Sequence, residues 1–377
     1  MSTVKATNFQ NASSATANMV TDANGNVSFG GTAAMSSSFL RNRIINGDMR
    51  VDQRNAAASV TPTTNATYTL DRWRTGLSQS SKFSVQQSSV TTAGFTNSIL
   101  VTSLSSYSVL SADFFLLNQY IEGFNAADLN FGTANAKTVT LSFWVRSSLT
   151  GTFGGCLNNG DSTRCYPFTY TISTANTFEY KTVTIAGDTS GTWTTNNTAG
   201  MTVIFSLGAG STYSGTAGAW SGSTLLSATG ATSVVGTNGA TFYVTGVQLE
   251  VGTVATPFER QIFSNQLAQC QRYYGKTFLS GTAPAQNIGV TASLFACSYT
   301  VNQPIAVNWK YPATMRAAPT ITTYSPDNAS ANWSTQGGSR PTVAVQSIGD
   351  QGVSIRGTTA VLVNASYEIH AAADAEL

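Results

Sequence analysis

The segment Thr138–Ser147, TVTLSFWVRS, places Val139, Leu141, Phe143 and Val145 at every second position, with Thr140, Ser142, Trp144 and Arg146 between them. A side-chain period of two belongs to a strand that buries one face and turns the other outward. MTVIFSLG repeats the pattern with Met201, Val203, Phe205 and Leu207. FEYKTVTIAG and SKFSVQQSSV are weaker versions, and NSILVTSL is a short apolar strand. Turn residues punctuate these runs at Asn158-Asn159-Gly160-Asp161, Gly187-Asp188, Gly208-Ala209-Gly210 and Gly236-Thr237-Asn238-Gly239. Many short strands separated by Gly and Asn make a sandwich or barrel. No fixed-period repeat points to a solenoid. The chain therefore reads as β throughout from Phe39 to Arg260.

The last strand of that region, FYVTGVQLEV, changes phase. Phe242 and Val244 share one face, while Val247, Leu249 and Val251 alternate one residue out of step. The slip predicts a β-bulge at Thr245-Gly246. Pro257 then ends the strand, and Glu250, Glu259 and Arg260 gather in a chain that is only 10% charged. This is where one domain is expected to close and the chain to leave it. The next stretch, SNQLAQCQRYYGK, has helical periodicity, with Ser264 as N-cap and Gly275 as stop. Phe263, Leu267, Cys270 and Tyr274 fall on one stripe. Such a helix, of roughly twelve residues, is too short to stand alone in water, so it must pack on the sandwich or on copies of itself. A second short helix is expected near Asn125–Leu129.

Beyond Gly275 six more strand-like runs follow: QNIGVTASLFACSY, PIAVNWKY, PTITTYS, RPTVAVQSI, GVSIRG and AVLVNASYEIHA. They suffice for a second, smaller β-sandwich. At the other end, residues 1–40 hold too few apolar side chains for a core, although TDANGNVSFGG reads as a hairpin turning at Asn24-Gly25. The expected division is an N-terminal segment 1–40, a sandwich 41–260, a helical linker 261–276 and a C-terminal sandwich 277–377. The fold class is all-β.

Charged residues fall well short of the roughly 25% of an ordinary soluble protein, and the formal net charge is +2. A polar, weakly charged surface suits sugars and gives no cause to expect nucleic acid. No apolar run reaches the roughly 20 residues of a membrane span, and the N-terminus lacks an apolar signal core, so synthesis in a cytosol is expected. Four cysteines without a CxxC pair, and one histidine, make no zinc site. Cys156 and Cys165 flank a turn. Free thiols suit a reducing compartment, and a hairpin disulfide stays open as the alternative. His370 has no nucleophile–base partner in the sequence, and no Gly-rich loop opens a helix, so the chain is not expected to be an enzyme.

Three stretches carry a resemblance. RNRIINGDMRVDQRN followed by YTLDRW, then TLSFWVR, then FYVTGVQLEVGTVATPFE resemble the β-jelly-roll carbohydrate-binding modules across residues 41–260. The order NGDMRVDQRN, TPFERQ, CQRYY, closed by YEIHAAADAEL at Tyr367–Leu377, resembles a group of bacteriophage tail-fibre and other virion proteins. That resemblance implies a virion protein, a homotrimer, attachment to other virion proteins through residues 1–40, and a distal end that contacts a host-surface glycan or protein. A purely structural virion appendage and a free sugar-binding lectin are the rival readings.

Candidate site residues follow from both sources. Trp193 and Trp220 lie in polar loops, GDTSGTWTTNNT and GTAGAWSGS, where an exposed indole calls for a partner. Trp333, in PDNASANWSTQGGSR, joins Tyr324, Asn332 and Arg340 as an expected receptor contact. Trp144, on the polar side of its strand, faces either a concave binding surface or another subunit. Asp71, Arg72 and Trp73 are expected in the core framework. The module resemblance offers a structural calcium held by Asp48 and Glu250, against an ordinary salt bridge or hydrogen bond of Glu250 with Arg43 or Arg50. No other cofactor is expected. The helical stripe Phe263, Leu267, Cys270 and Tyr274 is the expected trimer neck.

Overall fold

The computed structural model describes residues 8–9, 19–21, 27–28, 41–335, 340–357 and 364–377. Strands β1 (Asn8–Phe9), β2 (Met19–Thr21) and β3 (Val27–Ser28) form a small antiparallel sheet. Val20 pairs with Ser28 and Thr21 with Val27, the pairing of the expected hairpin. Its turn at Asn24-Gly25 lies outside the described residues.

The next thirteen strands build the first sandwich. They are β4 (Thr67–Leu70), β5 (Trp73–Leu77), β6 (Phe83–Ser88), β7 (Ser98–Ser103), β8 (Phe114–Glu122), β9 (Val139–Ser147), β10 (Gly151–Asn159) and β11 (Cys165–Ile172). After them come β12 (Glu179–Ile185), β13 (Ala199–Ala209), β14 (Ser214–Gly215), β15 (Ser227–Ala228) and β16 (Thr241–Val251). One sheet runs β11-β10-β13-β8-β5-β4 and the other β12-β9-β16-β7-β6. Neighbours far apart in sequence are the mark of a jelly-roll sandwich. Short 3-10 turns at Gly123–Asn125 and Ala127–Leu129 stand where the second short helix was expected.

The alternation read in the sequence is the alternation of burial. Val139, Leu141, Phe143 and Val145 are fully buried and meet Met201, Val203, Phe205 and Leu207 of the opposite sheet. The Phe143 and Phe205 rings stand edge to face at 5.0 Å, a favoured aromatic geometry. Asp71, Arg72 and Trp73 are buried as expected, and Trp73 donates its indole N–H to the Asn46 carbonyl at 3.0 Å. The outer side of the six-stranded sheet is roofed by the segment holding β14 and β15. Leu225 and Leu226 there cover Leu116, Cys156, Cys165 and Ile204. All four cysteines are free thiols. The outer face of the five-stranded sheet has no such roof.

Helix α1 (Phe263–Gln271) differs from its expected form. Ile262, not Ser264, is the N-cap, and the helix stops at Gln271, before Gly275. The following residues are recruited by the second domain, where Tyr274 opens strand β17 (Tyr274–Lys276) and pairs with Asp374. Cys270 is buried against this chain, and Gln266 donates to Asp48 Oδ1 at 2.7 Å. The expected neck stripe is thereby divided. Cys270 and Tyr274 pack internally, Phe263 is exposed, and Leu267 is half-buried. No helix among the described residues is long and apolar enough to cross a membrane.

All six strands expected after Gly275 are present: β18 (Leu294–Ser298), β19 (Ile305–Lys310), β20 (Thr320–Tyr324), β21 (Val343–Gln346), β22 (Gly352–Gly357) and β23 (Ala365–Asp374). Strand β23 pairs with β17, β18 and β20, and the second sheet runs β19-β22-β21. Between them lie Trp309, Trp333, Tyr367, Ile355 and Ile369.

The two sandwiches meet at a buried ionic joint. Arg54 pairs with Asp374 at 2.9 Å and Glu376 at 3.1 Å, and Arg72 pairs with Glu376. Each guanidinium lies on an aromatic ring of the linker, Arg54 at 3.8 Å from the Tyr274 centroid and Arg72 at 3.5 Å from that of Tyr273. Glu122 accepts from Arg272 and from the Tyr273 hydroxyl at 2.6 Å. Gln53 donates to the Tyr274 carbonyl, and Lys276 donates to the Gln53 carbonyl at 2.7 Å. Burial pushes the Lys276 amine down to about 8, against the nearby Asp71 and Asp52.

Removing one member of such a pair leaves a buried charge alone, which costs about 3–5 kcal/mol. Arg72→Met should lower the urea midpoint accordingly. Asp71 gives a pH signature. Burial raises its carboxyl from the ordinary 3.8 to about 6, although Arg54 and the Gln53 hydrogen bonds act to lower it. The folded chain then holds this proton longer than the unfolded chain, so stability falls as pH rises through that window. The difference in unfolding free energy between wild type and Asp71→Asn should change from pH 3.8 to 6 and be flat above it.

Candidate functional site

The exit from β16 folds back across the open sheet face. Gln248 and Glu250 hold it there. Buried Glu250 accepts from the Thr256 backbone N–H at 2.8 Å, from its hydroxyl at 2.6 Å and from Gln248 Nε2 at 2.8 Å. Gln248 Oε1 accepts from the Glu259 backbone N–H at 2.7 Å, and the Glu259 carboxylate accepts from the Asn42 N–H at 2.7 Å. Arg41 donates to the Pro257 carbonyl at 3.0 Å. The carboxylates grouped in the sequence thus tie residues 253–261 into a strap.

The expected bulge lies beneath it. Pairing of β16 with β9 runs Thr245 with Trp144 and then Gln248 with Ser142, so two residues are unmatched between them. Gly246 there has φ +61°, and a Cβ on it would sit 2.6 Å from the Phe95 ring and 3.2 Å from Trp144 Cδ1. Only glycine lets both rings come this close to the strand.

Between bulge and strap lies a groove of about 430 Å³ lined by Phe95, Ser142, Trp144, Tyr180, Thr256, Phe258 and Arg260. Trp144 and Tyr180 are directly paired across β9 and β12, with ring centroids 5.3 Å apart and planes 47° apart. Tyr180 is 43% exposed. Phe95 and Phe258 form the facing wall, edge to face at 5.2 Å, and the Arg260 guanidinium lies 4.9 Å from the Phe95 centroid. The groove therefore offers apolar ring faces, one cation and three hydroxyls, those of Ser142, Tyr180 and Thr256. Of these residues the sequence singled out Trp144, for its place on the polar side of β9, and Arg260, for its charge. Tyr180 sits in the same alternation on β12 and could have been found that way. Phe95 and Phe258 come from connections whose meeting no local pattern encodes.

The other expected site residues are placed differently. Trp193 and Trp220 come together at 5.5 Å, perpendicular, around Phe131, and Tyr166 packs on Trp220. Their indole N–H groups donate to the Ser190 and Ala186 carbonyls. The partner that their exposure called for is supplied by the chain itself. Trp333 is a correction: it is fully buried in the core of the second sandwich and cannot touch a receptor. Tyr324 is half-buried against Phe278, Asn332 is half-buried, and Arg340 pairs with Asp327 at 2.7 Å. His370 stacks on Phe278 at 4.1 Å and contacts Thr277 Oγ1 and the Gly289 carbonyl, a structural role.

Asp48 and Glu250 do not fit a shared calcium, which needs six to eight oxygens. Asp48 is occupied by Arg50 at 2.6 Å and by Gln266, and Glu250 by the strap. Neither arginine offered as a partner of Glu250 meets it: Arg50 pairs with Asp48 and Arg43 with Asp128 at 2.8 Å, while Glu250 has Arg41 at 4.0 Å and the hydrogen bonds of the strap. Among the described residues no group of three or more His, Cys, Asp or Glu side chains gathers as a metal site would.

No protein-family model and no curated protein matches the chain. Among solved structures it is similar to carbohydrate-binding modules. A family 4 module is 14% identical, covers 55% of this chain and 98% of its own, and gives a TM-score of 0.27. The TmCBM61 module in complex with β-1,4-galactotriose is 11% identical, with 56% and 99% covered and a TM-score of 0.29. A family 11 module from Clostridium thermocellum, in complex with a β-1,3-1,4-mixed-linked tetrasaccharide, is 10% identical, with 52% and 97% covered and a TM-score of 0.27. Scores of this size say nothing about residues or ligands.

Glu250→Ala leaves the Thr256 and Gln248 donors unpaired beside the strap. Each buried unsatisfied group costs about 1–3 kcal/mol. The variant should lose stability on that scale and be cut by protease between Thr253 and Gln261 faster than wild type, as followed by mass spectrometry of the fragments.

Proposed function

We propose that the chain is a non-catalytic glycan-binding protein that holds sugar in the Trp144 groove, and that it serves as a phage virion fibre adsorbing to a host cell surface. The observation that carries the first part is the juxtaposition of Trp144 and Tyr180 against Phe95, Phe258 and Arg260. Sugar rings present apolar C–H faces and a rim of hydroxyls. Aromatic faces accept the former, and Arg260 and the Tyr180 hydroxyl are hydrogen-bonding groups for the latter. The groove is open along the sheet, which suits a chain of sugars rather than a single enclosed ring.

The virion part rests on the order of NGDMRVDQRN, TPFERQ, CQRYY and YEIHAAADAEL. In the fold these stretches converge on one joint: Arg54 meets Tyr274, Asp374 and Glu376, while Arg50 donates to the Gln261 carbonyl at 2.8 Å. Support for several copies comes from Ile262 and Phe263, 67% and 46% exposed at the start of α1, an apolar pair largely open to solvent although Arg50 lies 6.0 Å from the Phe263 ring. Three linked grooves would turn weak single-site affinity into firm adsorption.

Two measurements test the reading. On an array of neutral bacterial glycans the chain should bind a defined subset, and Trp144→Ala should weaken that binding at least about tenfold, the weight of a central aromatic anchor. An array without binding, or a Trp144→Ala variant that binds as wild type does, overturns the groove. Light scattering should give three times the 39.5 kDa chain mass. A monomer that still binds glycan would instead be a free lectin.

A further inference from the structure

The outer face of the β19-β22-β21 sheet carries two cations that no described residue neutralises. Lys310 and Arg356 are exposed, and among the described residues neither forms an ion pair. Asp350, the acidic residue of the adjoining turn, forms none with them either. The register fixes what lies between. Asn308 stands opposite Ser354, and Ser354 opposite Gln346. In the next row Arg356 is flanked by Ala306 and Ala344, two small side chains that leave its guanidinium uncovered. The opposite row holds Lys310 against Gly352. Asn308, Lys310, Ser347, Gln351, Ser354 and Arg356 line a shallow trough of about 530 Å³.

Lys310 is four residues from Ala306 along β19, and Ala306 pairs with Arg356, so the backbone positions that carry the two cations stand about 14 Å apart at the rise and spacing of strands. Either cation alone, exposed to water, holds a small anion only weakly. A ligand gains most here if it is extended and carries more than one negative charge, so that it engages both cations at once. Between the charges it meets amides and a hydroxyl, groups that both donate and accept, as sugar hydroxyls do. Trp309 borders the trough, but its ring is buried against Tyr311, so among the described residues the trough offers no free aromatic face for stacking a base. We propose that this trough is a second carbohydrate site, specific for an anionic glycan. Lys310 and Arg356 bind its carboxylate or phosphate groups, and Asn308, Ser354 and Gln351 bind its hydroxyls. The site shares no residue with the Trp144 groove and does not depend on it.

The test is titration calorimetry of the full chain at low and at moderate salt. The probes are hexagalacturonate, its fully methyl-esterified form, a phosphorylated mannan oligosaccharide and inorganic tripolyphosphate. At least one anionic oligosaccharide should bind and weaken steeply with salt, as contacts between exposed charges do. The methyl ester should not bind. Preference for hexagalacturonate assigns the charge to carboxylate, and preference for the mannan assigns it to phosphate. Lys310→Gln with Arg356→Gln should reduce binding at least tenfold with an unchanged melting midpoint, since both side chains are exposed. Trp144→Ala should leave this binding intact, and the double variant should leave neutral-glycan binding intact, so the two sites succeed or fail separately. The proposal is overturned by no binding of either anionic oligosaccharide, by equal binding of the methyl ester or of tripolyphosphate, or by a double variant that binds as wild type does.

Discussion

The Arg72–Glu376 pair, with Arg54 beside it, is the contact on which the arrangement of the molecule depends. In a chain with so few charges, burying two guanidiniums is a large desolvation cost. It is offset by partners at the terminal nitrogens, although the Nε of each arginine is buried without an acceptor among the described residues: Glu376 and Asp374 from the end of the chain, the ring faces of Tyr273 and Tyr274, and the Tyr120 carbonyl. Burial lowers the affinity of both arginines for their protons, yet the surrounding carboxylates, Glu376 for Arg72 and Asp374 with Glu376 for Arg54, hold them firmly charged. A bare apolar interface would tolerate sliding. Paired charges in a dry joint admit one registration, because any shift leaves a charge unmatched. Arg72 itself sits at φ +68° in the tight β4–β5 turn, a conformation that persists only where the surroundings over-determine it.

This joint explains why the helix was legible and its end was not. The periodicity of SNQLAQCQRYYGK is real over Phe263–Gln271. Gly275 looked like a stop, but Arg272 and Tyr273 turn out of the helix to reach Glu122, and Tyr274–Lys276 pair with β23. Tertiary demands on four side chains outrank a local stop signal. The strands were easier. Each alternation in TVTLSFWVRS and MTVIFSLG reflects a buried face, and a phase slip has one structural meaning, so the bulge at Gly246 could be placed from sequence.

Trp333 shows the opposite case. Its neighbours Asn328, Ser330, Asn332, Ser334 and Thr335 read as a polar loop, and an indole among them looked exposed. The deciding residues are elsewhere in the sequence. Strand β23 brings Ala371, Ala373 and Ala375 to the core of the second sandwich, and alanines leave volume unfilled. Close packing requires large side chains opposite them, and Trp309, Trp333, Tyr311 and Tyr367 supply the bulk. Period-two reading gives which face of a strand is buried. It does not give how much space remains for a loop residue to fill.

The strap joins both halves of this account. Thr253–Gln261 begins at the buried Glu250, passes Phe258 and Arg260 as a wall of the groove, and ends with the Gln261 carbonyl held by Arg50. Arg50 also binds Asp48, which Gln266 of α1 reaches from the other side. The wall of the groove and the entry to the joint are therefore one stretch of chain fixed at both ends. Closing the first domain, shaping a site on its open face and aiming the second domain are not three separate demands on the sequence. The same few charged and amide side chains meet all three.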